Sequence, residues 1–152
     1  MNTPVRRRFV ARLAGLAAVA LLPLRAARAQ ADPFAALLKQ VTGGATVRPG
    51  RVKVDTPRLA DNGHSVPLTV SVESPMTAAD HVRNITLLSE RNPRPLMATF
   101  YLGPKAGRAE VATRVRLNGT QRVLAVAQIS DGSYWSGTAE VEVTESACLD
   151  MG

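Results

Sequence analysis

The fold class is decided by the stretch VPLTVSV, Val66–Val72, in which apolar and polar side chains alternate. Because successive side chains of a strand point to opposite faces, this alternation predicts a strand with one buried face. The same alternation recurs at residues 96–102, 111–117 and 138–144. Residues 122–130 are apolar on both faces in their middle, which predicts a central strand that is covered on both sides.

Residues 51–54 and 81–88 complete a set of about seven predicted strands. Between the strands lie turn signals, namely Asp61-Asn62-Gly63, Asn92-Pro93-Arg94-Pro95, Gly103-Pro104, Asn118-Gly119 and Asp131-Gly132. Seven short strands with turns at this spacing are typical of an all-β, immunoglobulin-like β-sandwich. The lone cysteine excludes the disulfide that joins the two sheets of an antibody domain.

One short helix is predicted to precede the strands, over residues 33–42. Asp32 suits the N-cap position and Pro33 the first helical position. Apolar residues then recur at helical spacing, at Phe34, Leu37, Leu38 and Val41. Gly43 follows directly, as a glycine commonly does where a helix ends.

The first 29 residues read as an export signal. They carry six arginines and no acid, then a 12-residue apolar stretch that is too short to span a bilayer, which needs about 20 residues. Small residues at the end of this segment predict cleavage after Ala29 and a periplasmic mature chain without a membrane span. The pair Arg6-Arg7, followed by Phe9, favours the twin-arginine route over an ordinary secretory signal.

Composition then limits the function. The net charge of +7 comes mostly from the signal, since the rest of the chain has 13 basic and 12 acidic residues. With only six aromatic residues besides, nucleic-acid binding is not expected. No histidine or carboxylate has a recognisable catalytic spacing, so we expect neither an enzyme nor a resident cofactor or metal.

The informative residue is Cys148, the only cysteine, which follows the last predicted strand. We expect residues 30–144 to form the folded domain and residues 145–152 to form a mobile arm. A free thiol is a liability in an oxidising compartment, so its retention indicates chemistry. A thiolate can hold further sulfur through a bond that exchanges with thiols. Cys148 is therefore the predicted site of covalent sulfur attachment, a tethered substrate rather than a catalyst.

Two other functions are compatible with the residues. One is a non-covalent periplasmic binding or interaction module with an incidental cysteine, in which Cys148→Ser leaves function intact. The other is a copper(I) site, since Cys148 and Met151 are both soft donors.

Several remaining polar and aromatic residues have simpler interpretations. His64 and His81 are expected at the surface rather than in a metal site. Arg114 and Arg116 are expected on a solvated strand face. Tyr134 and Trp135 are expected to pack within the sandwich.

The sequence from Phe34 to Cys148 also resembles the SoxY family, the sulfur carriers of periplasmic thiosulfate oxidation. The resemblance is carried in order by DNGHSVP at 61–67, NPRP at 92–95, RVRL at 114–117, QRVLAVA at 121–127, SDG at 130–132 and the terminal cysteine. It implies an immunoglobulin-like domain that pairs with a second small β-protein, SoxZ. It also implies that sulfur intermediates are bound to Cys148 and presented to a haem-containing loading enzyme, a sulfate-releasing metal-dependent hydrolase and a sulfane dehydrogenase.

The tail departs from the family pattern, in which two glycines stand on each side of the cysteine. Here Ser146-Ala147 precede Cys148 and Leu149-Asp150 follow it. Glycine gives the smallest cross-section and the greatest backbone freedom. The bulkier Leu149 and the charged Asp150 therefore predict poorer access to narrow active sites and repulsion of anionic sulfur groups.

Overall fold

A computed structural model describes residues 32–145, so the predicted export signal and Cys148 lie outside the described residues. Within this range the chain forms one α-helix, α1 (Ala35–Thr42), one 3-10 turn (Pro104–Ala106) and nine strands. The strands are β1 (Val47–Pro49), β2 (Val52–Asp55), β3 (Leu59–Asn62), β4 (Val66–Val72), β5 (Val82–Ser89), β6 (Leu96–Tyr101), β7 (Glu110–Val115), β8 (Gln121–Ile129) and β9 (Tyr134–Glu145). No helix in residues 32–145 has the length and apolar character needed to cross a membrane.

The strands form two sheets, which confirms the predicted all-β sandwich. The larger sheet has the order β1-β9-β8-β5-β6, and β3 also pairs with β9. The smaller sheet has the order β2-β4-β7. The central position predicted for residues 122–130 is confirmed, because β8 lies between β9 and β5.

The core lies between the two sheets. In β4 all four alternating apolar residues are buried, Val66, Leu68, Val70 and Val72, as the opening stretch predicts. In β8 the residues from Val123 to Ala127 are buried on both faces. One face joins the inter-sheet core and the other lies beneath α1, where Leu124 and Val126 pack with Phe34.

The helix is predicted correctly, but it begins at Ala35 rather than at Pro33. Asp32 does not cap it from the expected position. Its carboxylate instead accepts a hydrogen bond from the Phe34 amide (3.1 Å), so a turn precedes the first helical residue. Phe34 then sits at the N-cap, only 2% exposed, against the larger sheet. Gly43 ends the helix with φ +65°, as expected.

The predicted number of strands is too low, since β1 and β3 are present in addition to the seven. Both are only three or four residues long, and both pair in parallel with β9, which is distant in sequence. Their hydrogen bonds are made with β9, which lies far along the chain. Strands this short show too little alternation of apolar and polar residues to be predicted from the local sequence. Asp61 and Asn62, expected in a turn, are the end of β3. Strand β9 begins at Tyr134 rather than at residue 138, because its pairing with β8 extends as far as Tyr134.

The alternation predicted for residues 96–102 is partly wrong. Leu96 was expected to be buried, yet it is 47% exposed, while Met97 packs against the core. The cause is a register shift: Leu87 pairs with Ala98 but Leu88 pairs with Leu96, so Met97 is an extra residue. Such a bulge reverses the faces of the residues on one side of it relative to those on the other, so Leu96 is exposed while Phe100 and Leu102 pack against the core as predicted.

Candidate functional site

The position of Cys148 is limited by the end of β9. Glu145 is the last residue of that strand and the last described residue, and Cys148 comes three residues later. Three peptide units span at most about 11 Å, whatever their conformation. The residues around Glu145 therefore form the surface that any molecule must approach to reach the thiol. We call this end of the sandwich the arm pole: Gly63, residues 90–95, residues 116–120 and Glu145.

Backbone hydrogen bonds hold the end of β9 in place at the arm pole. Asn62 of β3 pairs with Glu145, and the buried Gly63 amide donates to the Glu145 carbonyl oxygen (2.7 Å). The Gly63 carbonyl in turn accepts from the amide of Leu117 (2.9 Å). The strand is consequently fixed as far as its last described residue, and the base of the arm is attached to two loops.

A buried amide network joins the remaining loops of the arm pole. Gln121, 3% exposed, donates to Asn92 Oδ1 (3.0 Å) and accepts from the Arg91 amide (3.0 Å). Asn92 Nδ2 donates to the carbonyl of Arg116 (2.8 Å), and Asn92 Oδ1 accepts from the Asn118 amide (2.9 Å). These bonds bring the loop between β5 and β6 against the loop between β7 and β8.

Arginines dominate the surface of these loops and of the neighbouring end of β7. Arg91, Arg94, Arg114 and Arg116 are all exposed, and none of the four forms an ion pair with another residue of the described range. Arg114 Nε donates to Ser65 Oγ (2.7 Å), and Arg91 Nη1 donates to the Thr120 carbonyl (3.0 Å). The expected exposed position of Arg114 and Arg116 is confirmed.

Arg122 differs from these four arginines because it is paired. It forms three hydrogen bonds of 3.1–3.3 Å with the Glu90 carboxylate, and its guanidinium lies 5.3 Å from the centroid of the Phe34 ring. The side-chain hydrogen bond from Arg122 lowers the pKa of Glu90, and the same bond raises the pKa of Arg122. The Glu90 pair fixes the end of β5 to the start of β8, while Phe34 and Asp32 (3.5 Å) bring the segment before α1 to the same guanidinium.

The two histidines lie at opposite ends of the sandwich. His64 is exposed at the arm-pole end, where its backbone amide donates to Asn62 Oδ1 (3.2 Å). His81 lies at the far end, its Nδ1 3.1 Å from the Thr77 carbonyl oxygen. Across residues 32–145 no three His, Cys, Asp or Glu side chains come together in a way that could hold a metal ion. The Cys148–Met151 pair lies outside the described residues.

Tyr134 and Trp135 pack as the sequence predicts, Trp135 against the inter-sheet core and Tyr134 beside α1. The structure adds a feature that the sequence did not indicate. The guanidinium groups of Arg48 and Arg51 lie 5.6 and 5.5 Å from the Trp135 ring centroid, within cation–π distance. This cluster lies near the start of β9, at the end opposite the arm pole, and so belongs to packing rather than to the candidate site.

These features define a β-sandwich domain that holds a cysteine-bearing segment at one end. The chain belongs to the SoxY family: residues 38–148 match the family described as sulfur oxidation protein SoxY, and Cys148 is the last residue of the match. Membership confirms the predicted resemblance, and it makes the protein a sulfur carrier rather than an enzyme. No curated protein matches the sequence significantly.

Solved structures agree with this assignment. The sulfur carrier protein SoxY from Chlorobium limicola f thiosulfatophilum is 26% identical, with a TM-score of 0.61, over 71% of this chain and 89% of that one. A superoxide reductase (neelaredoxin) from Ignicoccus hospitalis is 20% identical, with a TM-score of 0.55, over 62% and 80% of the two chains. The superoxide reductase from Nanoarchaeum equitans is 13% identical, with a TM-score of 0.53, over 63% and 100%. At such identities the superoxide reductases share the fold alone.

Proposed function

We propose that this protein carries sulfur intermediates covalently on Cys148 during thiosulfate or sulfur oxidation. The observation that supports this most directly is the family match, which ends on the only cysteine of the chain, three residues beyond the fixed end of β9. A thiol placed there can be presented to other proteins while the sandwich serves as the handle. Residues 145–152 would then act as the arm.

The chemistry of loading needs an oxidant. The Cys148 thiolate forms a bond with the sulfane sulfur of thiosulfate, giving a cysteine S-thiosulfonate and releasing two electrons. The haem-containing loading enzyme would accept those electrons as the oxidant of this step. The thiolate is the reactive form, and the resulting sulfur–sulfur bond remains open to later exchange.

The proposed function implies partners and a compartment. The carrier would be exported by the signal in residues 1–29 and would work in the periplasm beside a SoxZ-like β-sandwich subunit. A sulfate-releasing hydrolase and a sulfane dehydrogenase would then process the bound sulfur. The non-glycine flanks Ala147 and Leu149 indicate that these partners accommodate a wider arm than the usual one.

Replacing the thiol tests the proposal. We expect Cys148→Ser, expressed in a host lacking its own copy, to abolish thiosulfate-dependent sulfate production while the protein folds and accumulates normally. Met151→Leu is the matched control, since it alters the same segment and should leave sulfate production unchanged. Normal sulfate production by Cys148→Ser would favour the non-covalent binding module. Equal losses in both variants, together with loss of bound copper(I), would favour the metal site.

A further inference from the structure

Four exposed arginines are placed around the base of the arm by elements that are far apart in sequence. We call Arg91, Arg94, Arg114 and Arg116 the arginine rim. Arg91 and Arg94 come from the β5–β6 loop, while Arg114 and Arg116 come from the end of β7 and the residue that follows it. The Asn92–Gln121 network and the Gly63 bonds attach both regions to the end of β9.

The ion pairs of residues 32–145 do not include the rim arginines. The side chains of Arg94 and Arg116 make no hydrogen bond there either. Elsewhere in the same range the arginines that do support the fold are engaged: Arg122 binds Glu90, and Arg51 binds the Glu73 carbonyl. Arg94 and Arg116 are therefore free to bind another molecule.

Chain length determines what meets the rim. Because the Cα of residue 148 cannot lie more than about 11 Å from that of Glu145, an enzyme that acts on the thiol must approach within about one Debye length of the arm pole. The guanidinium groups of the rim attract negative charge on an enzyme that comes so near. On direct contact they bind carboxylates in a bidentate manner. The hydrogen-bonded loops hold the backbone of the rim in position before contact, so binding does not have to order these loops.

We propose that the arginine rim is a docking surface for an acidic protein surface surrounding the active-site entrance of an enzyme that acts on Cys148. This inference rests on the proposed function and specifies how the partner is recognised. Asp61 in β3, beside the arm pole, and Glu145 within it add negative charges next to the positive rim. Because the surface then carries both positive and negative charge, docking also sets the orientation of the partner.

The test uses the full mature chain in complex with the SoxZ-like subunit of its host, together with the purified haem-containing loading enzyme. Arg94→Gln/Arg116→Gln removes two rim charges whose side chains form no hydrogen bond or ion pair in residues 32–145. The matched control, Lys105→Gln/Arg108→Gln, removes two exposed charges at the far end, where Ala109 binds the end of β4. The measured quantity is the rate at which the thiosulfate adduct appears on Cys148, followed by intact mass at several salt concentrations.

We expect the rim variant to load about 3–10-fold more slowly than wild type at low salt, with the difference shrinking as salt is raised. The control variant should load at the wild-type rate. Intrinsic thiol reactivity is checked with anionic dithionitrobenzoate and with neutral dithiodipyridine, and both reagents should react equally with all three proteins. Thermal unfolding confirms that the variants are folded.

Two results would overturn the proposal while leaving the proposed function intact. One is loading of the rim variant at the wild-type rate. The other is an equal slowing with the enzyme and with dithionitrobenzoate but not with dithiodipyridine, which would mean that the rim attracts small anions rather than a protein. If the wild-type chain gains no adduct at all, the proposed function itself fails and the docking surface fails with it.

Discussion

Gly137 shows at the scale of one residue how closely the two sheets approach each other. It lies in β9 where the backbone of β2 passes over it, and a Cβ at this position would overlap the carbonyl oxygen of Val52 and lie 2.9 Å from the carbonyl carbon. Both obstacles are backbone atoms, which a rotamer change cannot move. Glycine is required here by space rather than by φ, and the sequence alone does not reveal that requirement.

We therefore expect Gly137→Ala to lower the free energy of unfolding by about 1–3 kcal/mol, the usual cost of overpacking a well-filled interior. Urea unfolding followed by Trp135 fluorescence measures this change, since Trp135 is the only tryptophan. Gly103→Ala is the control: no atom comes within 4 Å of its Cβ position and its φ is extended. A Gly137→Ala variant as stable as Gly103→Ala would contradict the close approach of β2 and β9.

At the scale of an element, the contact between the end of β5 and the start of β8 depends on pH. Hydrogen bonding to Arg122 lowers the pKa of Glu90 below its ordinary value of 4.5. The pair therefore stabilises the folded state fully above pH 4.5, and this contribution is lost as the pH falls through the lower folded-state pKa. Arg122 is partly exposed, so the contribution is at most about 1 kcal/mol.

We expect Glu90→Gln to lower the free energy of unfolding at neutral pH. On acidification below pH 4.5, the free energy of unfolding should fall less in this variant than in wild type. Chemical unfolding midpoints measured from neutral to acidic pH give both quantities. Glu140→Gln, a substitution of an exposed glutamate that forms no ion pair within residues 32–145, serves as the control. Parallel pH profiles for wild type and Glu90→Gln would show that the ion pair does not stabilise the fold.

The elements also show what local sequence can and cannot predict. Strand β4 is predicted to the residue, because its alternation is unbroken and one face is fully buried. Strands β1 and β3 are missed, because each consists of a few residues whose partner, β9, lies far along the chain. The bulge at Met97 changes the expected face of Leu96 at the start of β6, since it arises from pairing with β5 rather than from the residues of β6.

At the scale of the whole molecule, one part of the candidate site can be predicted from the sequence, and the other part can be recognised only from the tertiary structure. Cys148 is proposed from sequence, because it is the only cysteine and follows the last strand. The arginine rim is not, because its members become neighbours only through the hydrogen bonds of Asn92, Gln121 and Gly63. Arg114 and Arg116 were expected on a solvated face, which is correct for the isolated domain and leaves them available to a partner.

The separation of the folded core from the cysteine agrees with the organisation expected of a carrier. The core from Phe34 to Val143 lies within the described domain, and the fixed end of β9 places the cysteine beyond it. We therefore expect stability and the proposed sulfur chemistry to depend on different residues. Changes at Gly137 or Glu90 should alter unfolding without altering the thiol, and a change at Cys148 should do the reverse.

The most direct measurement of the central claim is the intact mass of the mature wild-type chain, purified from its host after exposure to thiosulfate. Each sample is split and measured with and without reductant. We predict a mass increase of one thiosulfate group or of added sulfur atoms, located on Cys148 and removed by the reductant. The chain itself should have the mass expected after cleavage following Ala29. An unmodified Cys148 thiol in cells that are oxidising thiosulfate would contradict it.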